Sequence, residues 1–138
     1  MKATLLVVGK VKAPFADADA HYRKLLSRHL PLEVVEARDA EDMVRRLPDR
    51  ARIVALHRDG RHMDSHDWSG WLDQRRLDAR DLCLLIGGPE GLPGAALEAA
   101  EERLSLGPQT MAHQLARIVV LEQLFRASKI LAGERYHL

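Results

Sequence analysis

The sequence predicts an α/β fold, a mostly parallel sheet with helices on both faces. Three observations carry that expectation. Short apolar β-runs alternate with stretches of helical periodicity along the 138 residues. The run Leu82–Ile86 is apolar at every position, as befits a central strand buried on both faces. Each strand is separated from the next by a helical stretch, and such connections bring strands back parallel.

The elements follow in order. Residues 4–8 form an apolar β-run that stops at Gly9. Residues 14–29 read as a helix, with Tyr22, Leu25, Leu26 and Leu30 near helical spacing. Pro31 ends it, because the residue before a proline is pushed out of the helical region. Residues 32–36 alternate apolar and acidic side chains, the pattern of an edge strand. Asp39 can cap a short helix that holds Met43, Val44 and Leu47 and ends at Pro48. Residues 52–56 are the next strand. Ser65 or Asp67 can cap a helix carrying Trp68, Trp71, Leu72 and Leu77, the two tryptophans three apart and packed. After Leu82–Ile86, residues 95–103 read as a helix, 104–106 as a short strand and His113–Leu131 as the final helix.

The length suits one domain spanning residues 1–138, and at this size a hydrophobic core needs no disulfide or metal. No stretch is long and apolar enough to span a membrane. The first residues read as a strand, not a signal peptide. The one cysteine, Cys83, lies in an apolar strand and reads as inert core. Together these features indicate a soluble, cytoplasmic protein. A net charge of +1 says little, but residues 1–24 hold Lys2, Lys10, Lys12, Arg23 and Lys24 against Asp17 and Asp19, so a local basic patch is expected. His57, His62 and His66 lack a cysteine partner or zinc-type spacing and are read as exposed loop residues, with no metal site.

Four segments carry the chemistry. In Ile86-Gly87-Gly88-Pro89-Glu90-Gly91-Leu92 a buried strand runs into a glycine-rich turn with a helix after it. Ligands bind at such ends of α/β sheets, and glycine lets them approach the backbone. It lacks the lysine and Ser/Thr of a P-loop and is not GxGxxG; a plain tight turn would use the same glycines. Leu106-Gly107-Pro108-Gln109-Thr110-Met111 precedes the last helix and offers backbone donors and acceptors suited to an adenine, or is an ordinary connection. The final helix is apolar around most of its circumference, with a polar strip at Glu122, Gln123, Arg126 and Lys129. Such a helix must be buried on nearly all sides, in a subunit interface or as a central core helix. The tail Gly133-Glu134-Arg135-Tyr136-His137-Leu138 gathers an aromatic ring, an imidazole and a guanidinium able to stack on a base or contact phosphate; a solvated tail is the plain alternative.

Taken together and in order, these segments resemble the RlmH (YbeA) family of the SPOUT superfamily. The match rests on Val8-Gly9-Lys10-Val11-Lys12, Tyr22-Arg23-Lys24, Ile53-Val54-Ala55-Leu56, Leu85-Ile86-Gly87-Gly88-Pro89-Glu90-Gly91, Leu104-Ser105-Leu106, His113-Gln114-Leu115-Ala116-Arg117, Leu121-Glu122-Gln123-Leu124-Phe125-Arg126-Ala127 and Tyr136-His137. It covers essentially the whole chain. This chain has Ala112 and Arg135 where the family usually has proline, His57 where it often has aspartate, and ends at Leu138. The resemblance implies a SPOUT-type α/β knot, a deep trefoil at the C-terminal end, which is a rare exception to unthreaded topology. It implies a homodimer that uses S-adenosylmethionine to methylate N3 of a pseudouridine in large-subunit ribosomal RNA, on the assembled ribosome. Carried over, the cofactor contacts are Leu56, Gly87, Gly88 and the stretch Leu106, Gly107, Pro108, Gln109, Thr110 and Met111.

An imide N3–H is weakly acidic, so transfer to it needs a base or electrostatic help. His113, Arg117, Tyr136 and His137 are the candidate catalytic residues. His113 adjoins the cofactor loop in the chain, and Arg117 and Arg135 can stabilise an imide anion or hold phosphate. A catalytically silent RNA-binding relative and a nucleotide-binding α/β domain are the competing readings.

Overall fold

The computed structural model describes residues 1–136. The chain runs β1 (Ala3–Val8), α1 (Ala16–Leu26), β2 (Leu32–Ala37), α2 (Ala40–Arg45), β3 (Arg52–His62), α3 (Ser65–Asp78), β4 (Leu82–Ile86), α4 (Gly94–Ala99), β5 (Glu102–Ser105) and α5 (His113–Leu131). The strands pair in the order β2-β1-β4-β3-β5, every pair parallel. β1 pairs with β2 on one side and β4 on the other, so the chain reverses direction across the sheet at β1 and β4.

Side-chain alternation along the strands supplies two apolar faces. Leu5, Val7, Val54, Leu84 and Ile86 point to one side, where α1, α3 and α5 cover them with Leu26, Trp68, Trp71, Leu72, Leu121 and Leu124. Leu6, Ile53, Cys83 and Leu85 point to the other, under Met43 of α2 and Ala96 of α4. Each fully buried leucine contributes roughly 1.5–3 kcal/mol of transfer free energy. α5 packs between α1 and α3 and buries Val120, Leu121, Leu124, Phe125 and Ala127, so most of its girth is core. A strip remains open, with Leu115 and Leu131 exposed and Ile118 and Val119 half-buried. Burial pushes the Cys83 thiol up to about 11, and it stays protonated. Among the described residues no helix is long and apolar enough to cross a membrane.

Several boundaries differ from the sequence reading for reasons of tertiary bonding. α1 starts at Ala16 because a turn closes first, with the Phe15 and Ala16 amides donating to the Lys12 carbonyl. β3 continues to His62: Leu56 and Arg61 both register with Leu104, and residues 57–60 bulge between them. His57 and His62 are therefore strand residues and His66 lies in the first turn of α3, not in loops. Asp64, rather than Ser65 or Asp67, caps α3; its carboxylate accepts from the Asp67 amide at 2.8 Å while Asp67 accepts from the Asp64 amide at 2.9 Å. α4 stops at Ala99, because the Glu101 amide donates to the Ile53 carbonyl and starts β5 instead.

Candidate functional site

The carboxyl ends of β3, β4 and β5 open onto a cavity of about 480 Å³, a size in the range of cofactor sites. One wall is the turn after β4. The Gly91 amide donates to the Gly88 carbonyl at 2.9 Å, and the chain folds back on itself. A Cβ on Gly87 would lie 2.4 Å from the Gly91 carbonyl carbon and 2.6 Å from the Leu92 nitrogen, so glycine alone fits without moving backbone. Gly88 is looser; its Cβ would meet Val8 Cγ1, a side-chain methyl, at 3.0 Å.

The facing wall is the loop between β5 and α5. Leu106, Gly107, Gln109, Thr110 and Met111 line the cavity, and Pro108 does not. Ser105 ties this wall to β3. Its buried hydroxyl accepts from the Gly107 amide at 3.0 Å and stands 3.0 Å from both the Arg58 and Gly107 carbonyls; its single proton serves one of them at a time. β3 contributes Leu56, His57 and Arg58. His57 Nδ1 accepts from the Asp59 amide at 3.1 Å, which puts the proton of the neutral ring on Nε2. His113 and Ala116, in the first turn of α5, complete the lining.

Arg117 follows Ala116 but turns away from the cavity. Its side chain is 3 % exposed and lies between α1 and β2. Nε and Nη2 donate to the two carboxylate oxygens of Asp19 at 2.7 and 3.1 Å, and Nη1 donates to Glu36 Oε2 at 2.7 Å. Glu36 Oε2 also accepts from the Val11 amide at 2.9 Å, and Gln114 accepts from the Lys12 amide at 2.8 Å, so the loop after β1 is pinned from both sides. Burial pushes the Glu36 carboxyl up, but the Val11 amide and the Arg117 guanidinium outweigh it and hold it below the usual carboxylate range. The expectation that Arg117 meets an imide anion or phosphate is corrected here: its donors are taken by two carboxylates, and it ties elements together.

Tyr136 also lies elsewhere than the resemblance implied. Its ring packs edge-on against Phe125 with centroids 4.7 Å apart and lies 4.8 Å under the Arg126 guanidinium, which also donates to the Tyr136 carbonyl at 3.2 Å. Burial and the neighbouring Glu122 push its phenol up to about 12, so it remains a neutral donor. Phe125 is twelve residues beyond His113, roughly 18 Å along the helix. Tyr136 is therefore remote from the cavity of its own chain. His137 lies outside the described residues.

Residues 1–137 match the family described as "Predicted SPOUT methyltransferase". The chain belongs to the SPOUT methyltransferase family. It is similar to the protein named Ribosomal RNA large subunit methyltransferase H of Gemmatimonas aurantiaca, with 40% identity over 153 residues, 99% of this chain and 99% of that one. The protein of the same name from Stenotrophomonas maltophilia is 42% identical over 155 residues, again 99% of each chain. Among solved structures, a probable methylase family protein from Haemophilus influenzae Rd KW20 aligns with a TM-score of 0.59 over 96% of this chain and 69% of that chain; at 10% identity it speaks to fold alone.

In this SPOUT methyltransferase, sequence reasoning named most of the cavity and missed His57, Arg58 and the anchoring Ser105. His57 and Arg58 directly follow Leu56, so extending that strand by two residues would have found them. Ser105 stood inside the quoted Leu104-Ser105-Leu106 and carried no signal beyond a polar residue between two leucines. Among the described residues, no three His, Cys, Asp or Glu side chains stand close enough to hold a metal.

Proposed function

We propose that this chain is an S-adenosylmethionine-dependent methyltransferase acting on N3 of a pseudouridine in large-subunit ribosomal RNA, a cytoplasmic homodimer in which residues 1–138 work as one knotted domain. The observation that carries it is the cavity between the Gly87 turn and the loop 106–111, with His113 at its edge, in a member of this family. Relatives about 40% identical over full length are named as ribosomal RNA large subunit methyltransferases. The cavity fits the cofactor. Its glycine turn leaves backbone bare, the loop 106–111 offers backbone groups for an adenine edge, and Leu56, Ile86 and Met111 supply apolar surface.

The bound cofactor supplies an electrophilic methyl group. The chain's own residues hold the geometry and move one proton. Ser105 ties the loop 106–111 to Arg58 of β3, which keeps the cofactor loop from relaxing. His113 receives the proton that the imide nitrogen gives up, since it is the half-buried imidazole nearest the loop in sequence and lines the same cavity. Arg58, largely solvated, offers positive charge to a developing imide anion or to phosphate at the mouth. Arg117 acts through Glu36 and the Val11 amide to hold the Lys10 and Lys12 loop beside His113. Tyr136 and His137 serve the cavity of the partner subunit, which two-fold pairing of α5 helices brings near the tail.

Radiolabelled cofactor and large ribosomal subunits provide the test. The parent should transfer methyl to the RNA. His113→Ala, and separately removal of residues 136–138, should each lower transfer about tenfold or more while cofactor binding stays near parental. Parental rates in both variants would remove His113 and the tail from the site. Absence of transfer by the parent would overturn the reading.

Leu115, Ile118 and Val119 sit three and four residues apart on one exposed side of α5, which supports the paired state. Light scattering at micromolar concentration should give twice the 15.5 kDa chain mass. Leu115→Glu with Ile118→Glu should give the single-chain mass, because charge is then buried at the interface. A monomeric parent with full activity would contradict this assembly.

A further inference from the structure

We propose that the groove between the end of α1 and the second half of α5 is a docking surface for the sugar–phosphate backbone of RNA. This rests on the methyltransferase reading and adds a contact far from the cavity of the same chain. The groove encloses about 480 Å³ and is lined by five basic side chains, His21, Lys24, Arg28, His29 and Lys129, over a floor that includes Phe125. No acidic side chain lines it. With a net charge of only +1 for the chain, histidines counted neutral, the three cations Lys24, Arg28 and Lys129 gathered in one groove are a local separation of charge.

The patch expected over residues 1–24 is not contiguous. Lys2 pairs with Glu33, and Arg23 pairs with Asp19. Lys24 and Arg28, by contrast, are exposed and make no ion pair among the described residues. Two acids stand beside the groove: Glu134 pairs with Lys129, and Asp17 precedes His21 by one helical turn. Neither forms an ion pair with Lys24 or Arg28.

His21, Lys24 and Arg28 are three and four residues apart, so they line one side of α1 and its closing turn, with steps of about 4.5 and 6 Å along the axis. Lys24 and Arg28 supply positive charge at a spacing a phosphate chain can follow, and the His21 ring adds a hydrogen-bonding group beside them. Phe125 is 5 % exposed and Leu25 half-buried, so the two apolar side chains of the lining offer only part of their surface. A protein partner would need an apolar centre; a polyanion does not. Lys129 is sixteen residues beyond His113, about 24 Å along the helix. Contacts here position RNA without reading its bases.

The test uses full-length protein, large ribosomal subunits and polyuridylate, with binding followed against salt. Lys24→Gln with Arg28→Gln should reduce the slope of log affinity against log salt by about 1.5 to 2, and weaken binding to both RNAs tenfold or more at low salt. KM for ribosomal subunits should rise by a similar factor, with kcat and cofactor binding unchanged. Lys24→Arg with Arg28→Lys should keep the parental slope, which separates phosphate contact from any role of these side chains in ending α1. An unchanged slope and KM in the glutamine variant would overturn the docking surface, as would a parent that binds neither RNA. A parent that binds polyuridylate through these residues yet transfers no methyl would uphold the groove and sink the methyltransferase reading instead.

Discussion

Replacing Arg117 with alanine should destabilise the protein by about 3–5 kcal/mol, because it strands buried carboxylate charge. Asp19 is almost fully buried and accepts two of the guanidinium's hydrogen bonds; Glu36 takes a third. Without the cation Asp19 keeps only the longer contact to Arg23 at 3.4 Å, which leaves most of its desolvation and lone pairs uncompensated. Since a domain of this size is stable by only about 5–15 kcal/mol, about a fifth or more of the total would go. The double change Asp19→Asn with Arg117→Met should recover much of the loss, as removing both charges removes the uncompensated one.

The pH dependence gives a second reading of the same variant. In the parent, the Glu36 carboxyl is held below its ordinary value, so its contribution is present above about pH 4.3, the unfolded value, and is lost as pH falls through the lower folded value. In Arg117→Ala, burial of the carboxyl is opposed only by the Val11 amide, and the protonated form is favoured. The variant should then regain ground against the parent as the solution is acidified. Urea unfolding at pH 7 and at about pH 3.5, below the unfolded carboxylate value, measures both. A loss under 1 kcal/mol at pH 7 would mean the guanidinium is not the tie described.

What the sequence made legible was local. Asp39 caps α2 and accepts from the Asp42 amide at 2.8 Å, a relation spanning three residues. The all-apolar Leu82–Ile86 could only be central, and the glycines after it could only be a tight turn. What stayed hidden was set by partners far away in the chain. Arg117 meets residues 98 and 81 positions earlier, so its motif neighbours gave no hint of its carboxylates. Residues 95–103 have helical propensity throughout, yet β3 draws the last of them into the sheet and the Trp71 indole fixes Glu102 at 2.9 Å. The wheel of α5 gave the amount of apolar surface correctly and its use incompletely, because a helix wedged between α1 and α3 buries most of it within one chain. Tyr136 was assigned by resemblance to a site that its own chain does not bring near it, since nothing in the tail's composition reveals its packing on Phe125 and Arg126.

Gly87→Ala should abolish cofactor binding while Gly88→Ala largely preserves it, an ordering that follows from what each added methyl would strike. At Gly87 the new Cβ meets the backbone of Gly91 and Leu92 at 2.4 to 2.6 Å. Backbone cannot rotate away as a side chain can, so the turn must open. Opening it breaks the bond from the Gly91 amide to the Gly88 carbonyl and moves the whole wall that faces the loop 106–111. At Gly88 the obstacle is one methyl of Val8, at 3.0 Å, and a few tenths of an ångström of side-chain movement accommodates it. A ligand that binds only the folded state stabilises it by about 2.7 kcal/mol at a hundredfold excess over Kd, which at this chain length raises Tm by roughly 10 °C. The parent and Gly88→Ala should show most of that rise with S-adenosylmethionine, and Gly87→Ala essentially none. Gly88→Val adds a branched side chain and should lose binding as well. Because Gly87→Ala could lower stability by itself, each Tm is compared with the same variant without ligand, and circular dichroism checks that the sheet is retained. A folded Gly87→Ala protein that gains as much from the cofactor as the parent would show that the cofactor does not rest on this turn.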